Sequence, residues 1–328
     1  MQPSPQTVLV ITSVEDVHAD LVIEKLNERR VQVVRADPGD IGTGLMFDVC
    51  LGDDQVEWAG RLRTPSRDIA LEEVGAVYYR RPTPHSARFA HLPAVEREFA
   101  VTEAQHGLGG VLRNLRTTRY VNHPAAINAA DYKPAQLRVA ARLGMAIPPT
   151  LITNDVAAAR KFAAGYGPII YKSFRGAPRS PDGQVAAIWT QRVAEETLDD
   201  SLAVTAHLFQ KEVAKTADAR VTVIGRTVFA SRITTPGGAL DWRSGDWEQL
   251  VHDPVDVPEQ IIDCLHAYLD HFGLVFGCFD FALESTGERA PDRWTFIECN
   301  PNGQWGWLPD SDAMAQAFAD LLLEGWWP

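Results

Sequence analysis

Residues 294–308 read WTFIECNPNGQWGWL. Trp294, Phe296 and Ile297 have the apolar character of a strand entering a core, yet the strand ends on Glu298 and Asn300, followed at once by Pro301-Asn302-Gly303. Residues two apart on a strand point the same way, so a carboxylate and an amide share one face. The preceding apolar run, GCFDFAL (277–283), carries Asp280, and a hairpin centred near Arg289 sets Asp280 opposite Glu298. Two carboxylates that close repel unless a cation lies between them. Hard oxygen donors with open positions suit Mg²⁺, which commonly also holds phosphate oxygens. The competing reading is a solvated sheet face with ordinary charges. Phe279, Phe281, Trp294, Phe296 and Cys299 around the acidic positions weigh against it.

A nucleotide would need cations nearby. Lys172 closes the apolar run PIIYK in a predicted interior strand, where a buried ammonium requires a counter-charge. The loop behind it adds Arg175, Arg179, Gly176, Pro178 and Gly183, a composition that lets backbone amides close over a phosphate. A strand-end lysine reaching solvent is the alternative. Lys133 opens a predicted helix, where the dipole disfavours a cation but favours an anion beside it. A lysine pointing away from the helix end would satisfy the same pattern. LFQKEV (208–213) ends a strand in exposed backbone suited to an adenine amino group. Arg220 and Arg232 put further positive charge along the next hairpin, where they could equally be surface charges.

Working outward, TVLVITS (7–13) predicts a buried strand, 16–30 a helix with Val17, Leu21, Val22 and Leu26 inward, and 31–37 a second strand. This opening implies a small α/β domain with a parallel sheet. Residues 94–116 predict one long helix with Val95, Phe99 and Val101 on its apolar stripe and a weak point at GLGG (107–110). A short strand at 120–124 follows. Next come a helix with Pro134 in its first turn, a strand at 147–153, a helix capped by Asn154 or Thr153, and strands at 168–174 and 185–190. ARVTVIGRTVFASRIT predicts a hairpin turning at Gly225-Arg226, TPGGALDWRSGDW a long polar loop, and 258–272 a helix before the acidic hairpin. A helix from 310 onward completes the pattern.

The 328 residues exceed one ordinary core, and 45% apolar with 23% charged content marks a globular chain. A formal charge of −12 argues against broad nucleic-acid or anionic-membrane binding. Cys50, Cys264, Cys278 and Cys299 form no C-x-x-C pair, which predicts reduced thiols, a cytoplasmic setting and no structural zinc. Neither a signal peptide nor a membrane span is expected. IGTGLMF (41–47) fails as a dinucleotide fingerprint at Phe47, and the chain contains no P-loop, nucleophile elbow or H-E-x-x-H.

In order and spacing, VNHPAAINAADYKPAQLRVAARLGMAIPPT, IIYKS, LFQKEVAKTADARVTVIG, GCFDFAL and FIECNPNGQW resemble an ATP-grasp ligase over about residues 120–325. YYRRP (78–82), DARVTVIG and ECNPNGQWGWL resemble the microviridin-type graspetide maturases, which crosslink ribosomal peptides through ω-esters or ω-amides. The resemblance implies an α/β fold with α+β subdomains: a pre-ATP-grasp domain over 1–120, a central subdomain over 121–205 and a C-terminal subdomain over 206–328. It implies ATP and Mg²⁺ as cofactors and a precursor peptide, leader plus core, as partner; homodimers are common among such enzymes. Lys133 and Lys172 would hold ATP phosphates, Gln210, Glu212 and Val213 would line the adenine pocket, two of them partly through backbone atoms, and Asp218 would meet the ribose or the substrate. Arg220 and Arg232 would be catalytic, and Asp280, Glu298 and Asn300 would ligate Mg²⁺. KSFRGAPRSPDG departs from the pattern in having fewer glycines than many phosphate lids. Asp241, Trp242 and Arg243 are candidate peptide contacts in a flexible segment, an ordered surface loop being the alternative. Arg80 and Arg81 fit a structural role between domains equally well. Two other functions stay open: another ATP-grasp ligase acting on an amino acid, peptide end or small molecule, and a non-catalytic nucleotide-binding or plain interaction module.

Overall fold

The run TVLVI forms β1 (Thr7–Ile11), buried at every position and flanked by parallel neighbours. The computed structural model describes residues 7–52, 55–115, 118–175, 188–287 and 291–324. Helix α1 (Val17–Glu28) starts on Asp16, whose carboxylate accepts the His18 N–H, and turns His18, Ala19, Val22 and Leu26 inward. Val17, expected inside, is exposed. After β2 (Gln32–Ala36), strands β3 (Met46–Gly52), β4 (Gln55–Arg63) and β5 (Asp68–Ala70) make a separate antiparallel sheet. Strand β6 (Val74–Tyr79) returns beside β1.

The helix expected over 94–116 is divided. Beyond the short α2 (His85–Arg88), α3 (Ala94–His106) stops at Gly107 and α4 (Leu108–Leu112) begins there, so GLGG is a break. Val95 and Phe99 lie exposed rather than on a buried stripe. Strand β7 (Arg119–Val121) completes a parallel sheet of order β2-β1-β6-β7.

Helix α5 (Pro124–Ala130), which the sequence pattern missed, precedes α6 (Lys133–Arg142), with Pro134 in its first turn. Strand β8 (Thr150–Thr153), helix α7 (Val156–Tyr166) and strands β9 (Ile169–Lys172), β10 (Gln191–Val193) and β11 (His207–Lys211) build an antiparallel sheet of order β10-β9-β11-β8. The cap of α7 is Asp155, not Thr153 or Asn154: its carboxylate accepts the Ala157 N–H at 2.8 Å. Of the strand expected at 185–190, positions 185–187 lie outside the described residues, and 188–190 are not strand.

Strands β12 (Ala217–Ile224) and β13 (Thr227–Thr234) form the expected hairpin, turning at Gly225 with φ +58°. The polar loop that follows is ordered by two 3₁₀ turns, Trp242–Ser244 and Trp247–Gln249, and leads into β14 (Val251–Pro254). Helix α8 (Glu259–Phe272), β15 (Phe276–Glu284), β16 (Arg293–Asn300) and α9 (Ser311–Leu323) follow. The antiparallel sheet has the order β14-β13-β12-β15-β16.

Alternation divides this sheet between two cores. Ala219, Val221, Val223, Phe279 and Phe281 pack with Leu137 of α6 and Leu265, Tyr268 and Leu269 of α8. Ile224, Phe276 and Cys278 lie on the other face with Trp305 and α9, whose Met314, Phe318 and Leu322 also cover Val8, Val10 and Tyr78 of the first sheet. All four cysteines are free, and among the described residues no helix is long and apolar enough to cross a membrane.

Candidate functional site

Asp280 of β15 pairs directly with Glu298 of β16. That register needs a bulge. Toward the hairpin end Phe281 faces Phe296, so Ile297 is an extra residue that shifts the strand by one and brings Glu298 across from Asp280. Asn300 lies two residues on, and its Nδ2 donates to Asp280 Oδ2 at 3.2 Å. Both carboxylates are buried. Arg289, the expected hairpin centre, lies outside the described residues.

Cations surround the pair. Arg220, opposite Asp280 on β12, donates from Nη1 to both Asp280 oxygens at 2.8 and 2.9 Å and from Nη2 to the Gln304 carbonyl at 2.9 Å. Lys133, the first residue of α6, donates from Nζ to Glu298 Oε2. The cation at that helix end thus has a carboxylate partner across on β16. Arg243 reaches Glu298 Oε1 at 3.3 Å and is itself held by Asp241 at 2.9 and 3.0 Å. Burial would raise Glu298, but Lys133, Lys172 and Arg243 outweigh it and hold the carboxyl well below its usual range. Lys172, half-buried at the end of β9, is pushed the other way, to about 8. Burial is the main cause, Glu298 opposes it, and Lys133 and Arg243 add to it.

Lys172, Arg243, Asp280 and Glu298 line an open cleft between the β8–β11 sheet and the larger sheet. Ile170, Ala282, Ile297, Leu240 and Trp242 give it apolar walls. Gln210 and Val213 line it as well. Gln210 is 1% exposed; its Nε2 donates to Thr150 Oγ1 at 3.0 Å, while its buried Oε1 finds no partner among the described residues. Asp218 also lines the cleft, held by Lys215 at 2.7 and 2.6 Å. Burial lifts its carboxyl to about 6, Lys215 opposing the rise and Asp280 and Asp241 adding to it.

Three expectations are revised. Arg232 is opposite Ala219, not Arg220, so strand alternation sends it to the face away from Asp280, where it pairs with Asp292 Oδ2 at 2.5 Å. The Glu212 side chain is held by Arg192 at 2.7 and 2.8 Å, which restricts its expected adenine contact to backbone atoms. Asp241 and Trp242 are buried in the cleft wall rather than displayed on a flexible loop, and Trp242 packs against Trp247 and Trp307 with ring centroids 5.5 and 5.2 Å apart. In the loop after β9, Arg175 pairs with Asp131 at 2.7 Å, whereas Gly176, Pro178, Arg179 and Gly183 lie outside the described residues.

Sequence reasoning missed how firmly β16 and its extension are held. Gln136 of α6 bonds both backbone groups of Cys299, donating to its carbonyl at 2.8 Å and accepting its N–H at 3.1 Å. Asn122 donates to the Pro301 carbonyl at 2.8 Å. Arg80, 1% exposed, donates to the Gly303 carbonyl at 3.0 Å and to Asp16 Oδ2 at 3.3 Å, which assigns it the structural role between segments. Gly303 lies so close to Cys278 that a Cβ there would meet the Cys278 Cβ at 2.5 Å. Of these, only the buried Arg in YYRRP and the glycine in NPNG carried a local signal.

Among the described residues no three His, Cys, Asp or Glu side chains converge into a metal cage. Two carboxylates and an amide oxygen are nevertheless the donor chemistry that suits Mg²⁺, which retains waters and takes phosphate oxygens rather than filling an all-protein shell. The residues present therefore fit that ion.

The MvdD pre-ATP grasp domain family matches residues 7–128. No curated relative matches the chain. Among solved structures the chain is similar to macrocyclase MdnC bound with precursor peptide MdnA from Microcystis aeruginosa MRC, at 26% identity and TM-score 0.85, with 97% of this chain and 99% of that chain covered. It is equally similar to a Chryseobacterium gregarium RiPP-associated ATP-grasp ligase in complex with ADP and a leader and core peptide, at 26% identity and TM-score 0.85, with 97% of each chain covered. Macrocyclase MdnB from Microcystis aeruginosa MRC is 28% identical at TM-score 0.78, with 98% of this chain and 100% of that chain covered. The chain thus resembles RiPP ATP-grasp macrocyclases over nearly its whole length and carries their fold, including the pre-ATP-grasp domain.

Proposed function

We propose that this chain, an ATP-dependent ligase of the ATP-grasp fold, activates Asp or Glu side chains of a ribosomal precursor peptide and crosslinks them to Ser, Thr or Lys as ω-esters or ω-amides. The observation that carries the reading is the direct pairing of Asp280 with Glu298 in a cleft that Lys172 and Arg243 also line. Gln210, in the lining of the same cleft, has a buried Oε1 without a partner among the described residues, an acceptor for a base amino group.

Asp280, Glu298 and Asn300 would hold Mg²⁺, which when bound supplies charge neutralisation on the phosphates. Lys172 and Lys133 supply positive charge where a triphosphate would end. Lys133 reaches it by exchanging its Glu298 partner for phosphate oxygen, and Arg243 is placed to make the same exchange. Arg220 acts from behind Asp280, orienting that carboxylate through two hydrogen bonds. In the first step a substrate carboxylate oxygen bonds to the γ-phosphorus and ADP leaves, giving an acyl phosphate. In the second, a hydroxyl or amine attacks the acyl carbon and phosphate departs. Leu240, Trp242 and Arg243, folded against the cleft, exclude water that would otherwise hydrolyse the activated acyl group. No side chain need act as covalent nucleophile; positioning and electrostatics carry the chemistry.

The test is incubation of the chain with ATP, Mg²⁺ and a leader-bearing peptide rich in Thr and Asp/Glu, read by mass. Loss of one water per crosslink with release of ADP and phosphate is expected. Glu298→Gln should abolish it while thermal unfolding remains cooperative. Full turnover in that variant, or nucleotide binding without phosphate release for any acceptor, would overturn the proposal.

A further inference from the structure

Gln136 lies three residues after Lys133 on α6, one helical turn away, and is 3% exposed. Three of its hydrogen bonds are accounted for. Nε2 donates to the Ala130 carbonyl at 2.7 Å, at the end of α5, and to the Cys299 carbonyl at 2.8 Å; Oε1 accepts the Cys299 N–H at 3.1 Å. Cys299 is the residue between Glu298 and Asn300. It belongs to the opposite face of β16, toward α6 and α8, so its backbone can be gripped there without obstructing the cleft.

This is an unusual way to join a helix to a sheet. Apolar packing between α6 and β16 tolerates small slides, because dispersion contacts are non-directional. A side-chain amide bonded to both the N–H and the C=O of one residue does not. It fixes the rotation and height of α6 against β16 at one residue, and Lys133 and Glu298 are each within one turn or one residue of that point. Their contact, Lys133 Nζ to Glu298 Oε2, spans 165 residues of sequence and is set by this junction.

We propose that Gln136 is a positioning residue that locks the phosphate-side lysine, Lys133, to the Mg²⁺-side ligands, Glu298 and Asn300. The inference rests on the ligase reading above. Gln136 itself touches no reacting atom. It acts by holding two groups that must meet one ligand, the metal–nucleotide pair, at a fixed separation.

The test compares the wild type with Gln136→Met, close in volume but unable to make the amide bonds. The control is Leu137→Ala, which opens a cavity at the next buried position of α6, where the apolar side chain makes no hydrogen bond to β16. Mn²⁺ binding is read by electron paramagnetic resonance in the presence of saturating ADP, and thermal midpoints are recorded alongside. Gln136→Met is expected to weaken Mn²⁺ at least tenfold, while Leu137→Ala lowers the midpoint with Mn²⁺ affinity within twofold of wild type. Gln136→Glu keeps an acceptor for the Cys299 N–H but turns its other carboxylate oxygen toward the Ala130 and Cys299 carbonyls, so it is expected to weaken Mn²⁺ at least as much as Gln136→Met. Combining Gln136→Met with Lys133→Met should weaken Mn²⁺ little more than either alone, because the two act through one contact. Equal Mn²⁺ affinity for Gln136→Met and wild type, a matching loss in Leu137→Ala, or full additivity with Lys133→Met would overturn the positioning role. Wild-type protein that binds no Mn²⁺ with ADP would instead overturn the ligase reading and this inference with it. If Gln136→Met does not fold, the soluble Gln136→Glu variant decides on the same readout.

Discussion

Replacing Arg220 with Met should cost more stability than any ordinary surface change, and the loss should be recoverable at a second named position. Arg220 and Asp280 form a bidentate ion pair with side-chain exposures of 7% and 11%. Breaking a buried pair by deleting one partner typically costs about 3–5 kcal/mol, because the remaining charge is left uncompensated. The lower end applies here. Asp280 borders the open cleft and keeps Asn300 Nδ2 at 3.2 Å, so about 3 kcal/mol is the expected loss. At about 2–4 °C per kcal/mol, the scale for chains of somewhat smaller size, that is a fall of roughly 6–12 °C in unfolding midpoint. Removing both partners of such a pair is far milder than removing one. Arg220→Met/Asp280→Asn should therefore unfold well above Arg220→Met alone. Differential scanning calorimetry of the wild type, both single variants and the double variant gives the cycle. If the double variant is no more stable than Arg220→Met, Asp280 is not the charge that Arg220 compensates, and its place behind the metal ligand would have to be abandoned.

Lys172 makes nucleotide affinity depend on pH. Its folded-state value of about 8 is depressed from the usual lysine range, so in the free site Lys172 itself is only half charged near pH 8 and loses its charge above it. A phosphate favours the charged form, so binding near that pH takes up a proton and affinity should fall as pH rises through 8–9. Calorimetric titration of ADP in buffers of different ionisation enthalpy checks this, and zero proton uptake at pH 8.5 would remove Lys172 from the phosphate site. Gly303→Ala forces a Cβ to within 2.5 Å of the Cys278 Cβ and 3.1 Å of Arg220 Nη2. A loss of about 1–3 kcal/mol is expected, with partial recovery when Cys278 is also cut to Gly, since Ala would keep the clashing Cβ; chemical denaturation measures both. Arg232→Ala should leave turnover within about twofold, since its guanidinium lies on the face away from Asp280; a hundredfold loss of kcat would contradict that placement.

The opening sheet could be read from the chain because buried apolar runs flank a helix, the β12–β13 hairpin because its turn is two residues, and the acidic pair because alternation puts its members on one face. Asp280 and Glu298 were matched by assuming a symmetric hairpin, yet the rungs nearer its end are offset by one, and the bulge at Ile297 restores the pairing. No pattern in WTFIECN announces that bulge. Arg232 is the opposite case. A two-residue turn at Gly225-Arg226 already places Ala219 against Arg232 and Arg220 against Ser231, so its facing was legible and the charge alone misled. Arg243 reaching Glu298 across 55 residues, and Gln136 reaching Cys299 across 163, depend on how whole elements dock and leave no mark in the neighbouring residues. Helix α5 escaped because seven residues beginning Pro-Ala-Ala carry too little apolar periodicity to stand out.

The shared core of α9 and the opening sheet has a consequence for synthesis. Tyr78 and Phe318, whose rings lie 5.2 Å apart, are separated by about 240 residues of chain. At about 5–20 residues per second a ribosome needs on the order of 10–50 s to travel between them. During that interval the face of the nascent sheet bearing Val8, Val10 and Tyr78 has no α9 to cover it. A chaperone that shields apolar strands on emerging polypeptides would find its window there, and a fragment ending before residue 311 would keep the α1 side of that core and permanently lack the α9 side.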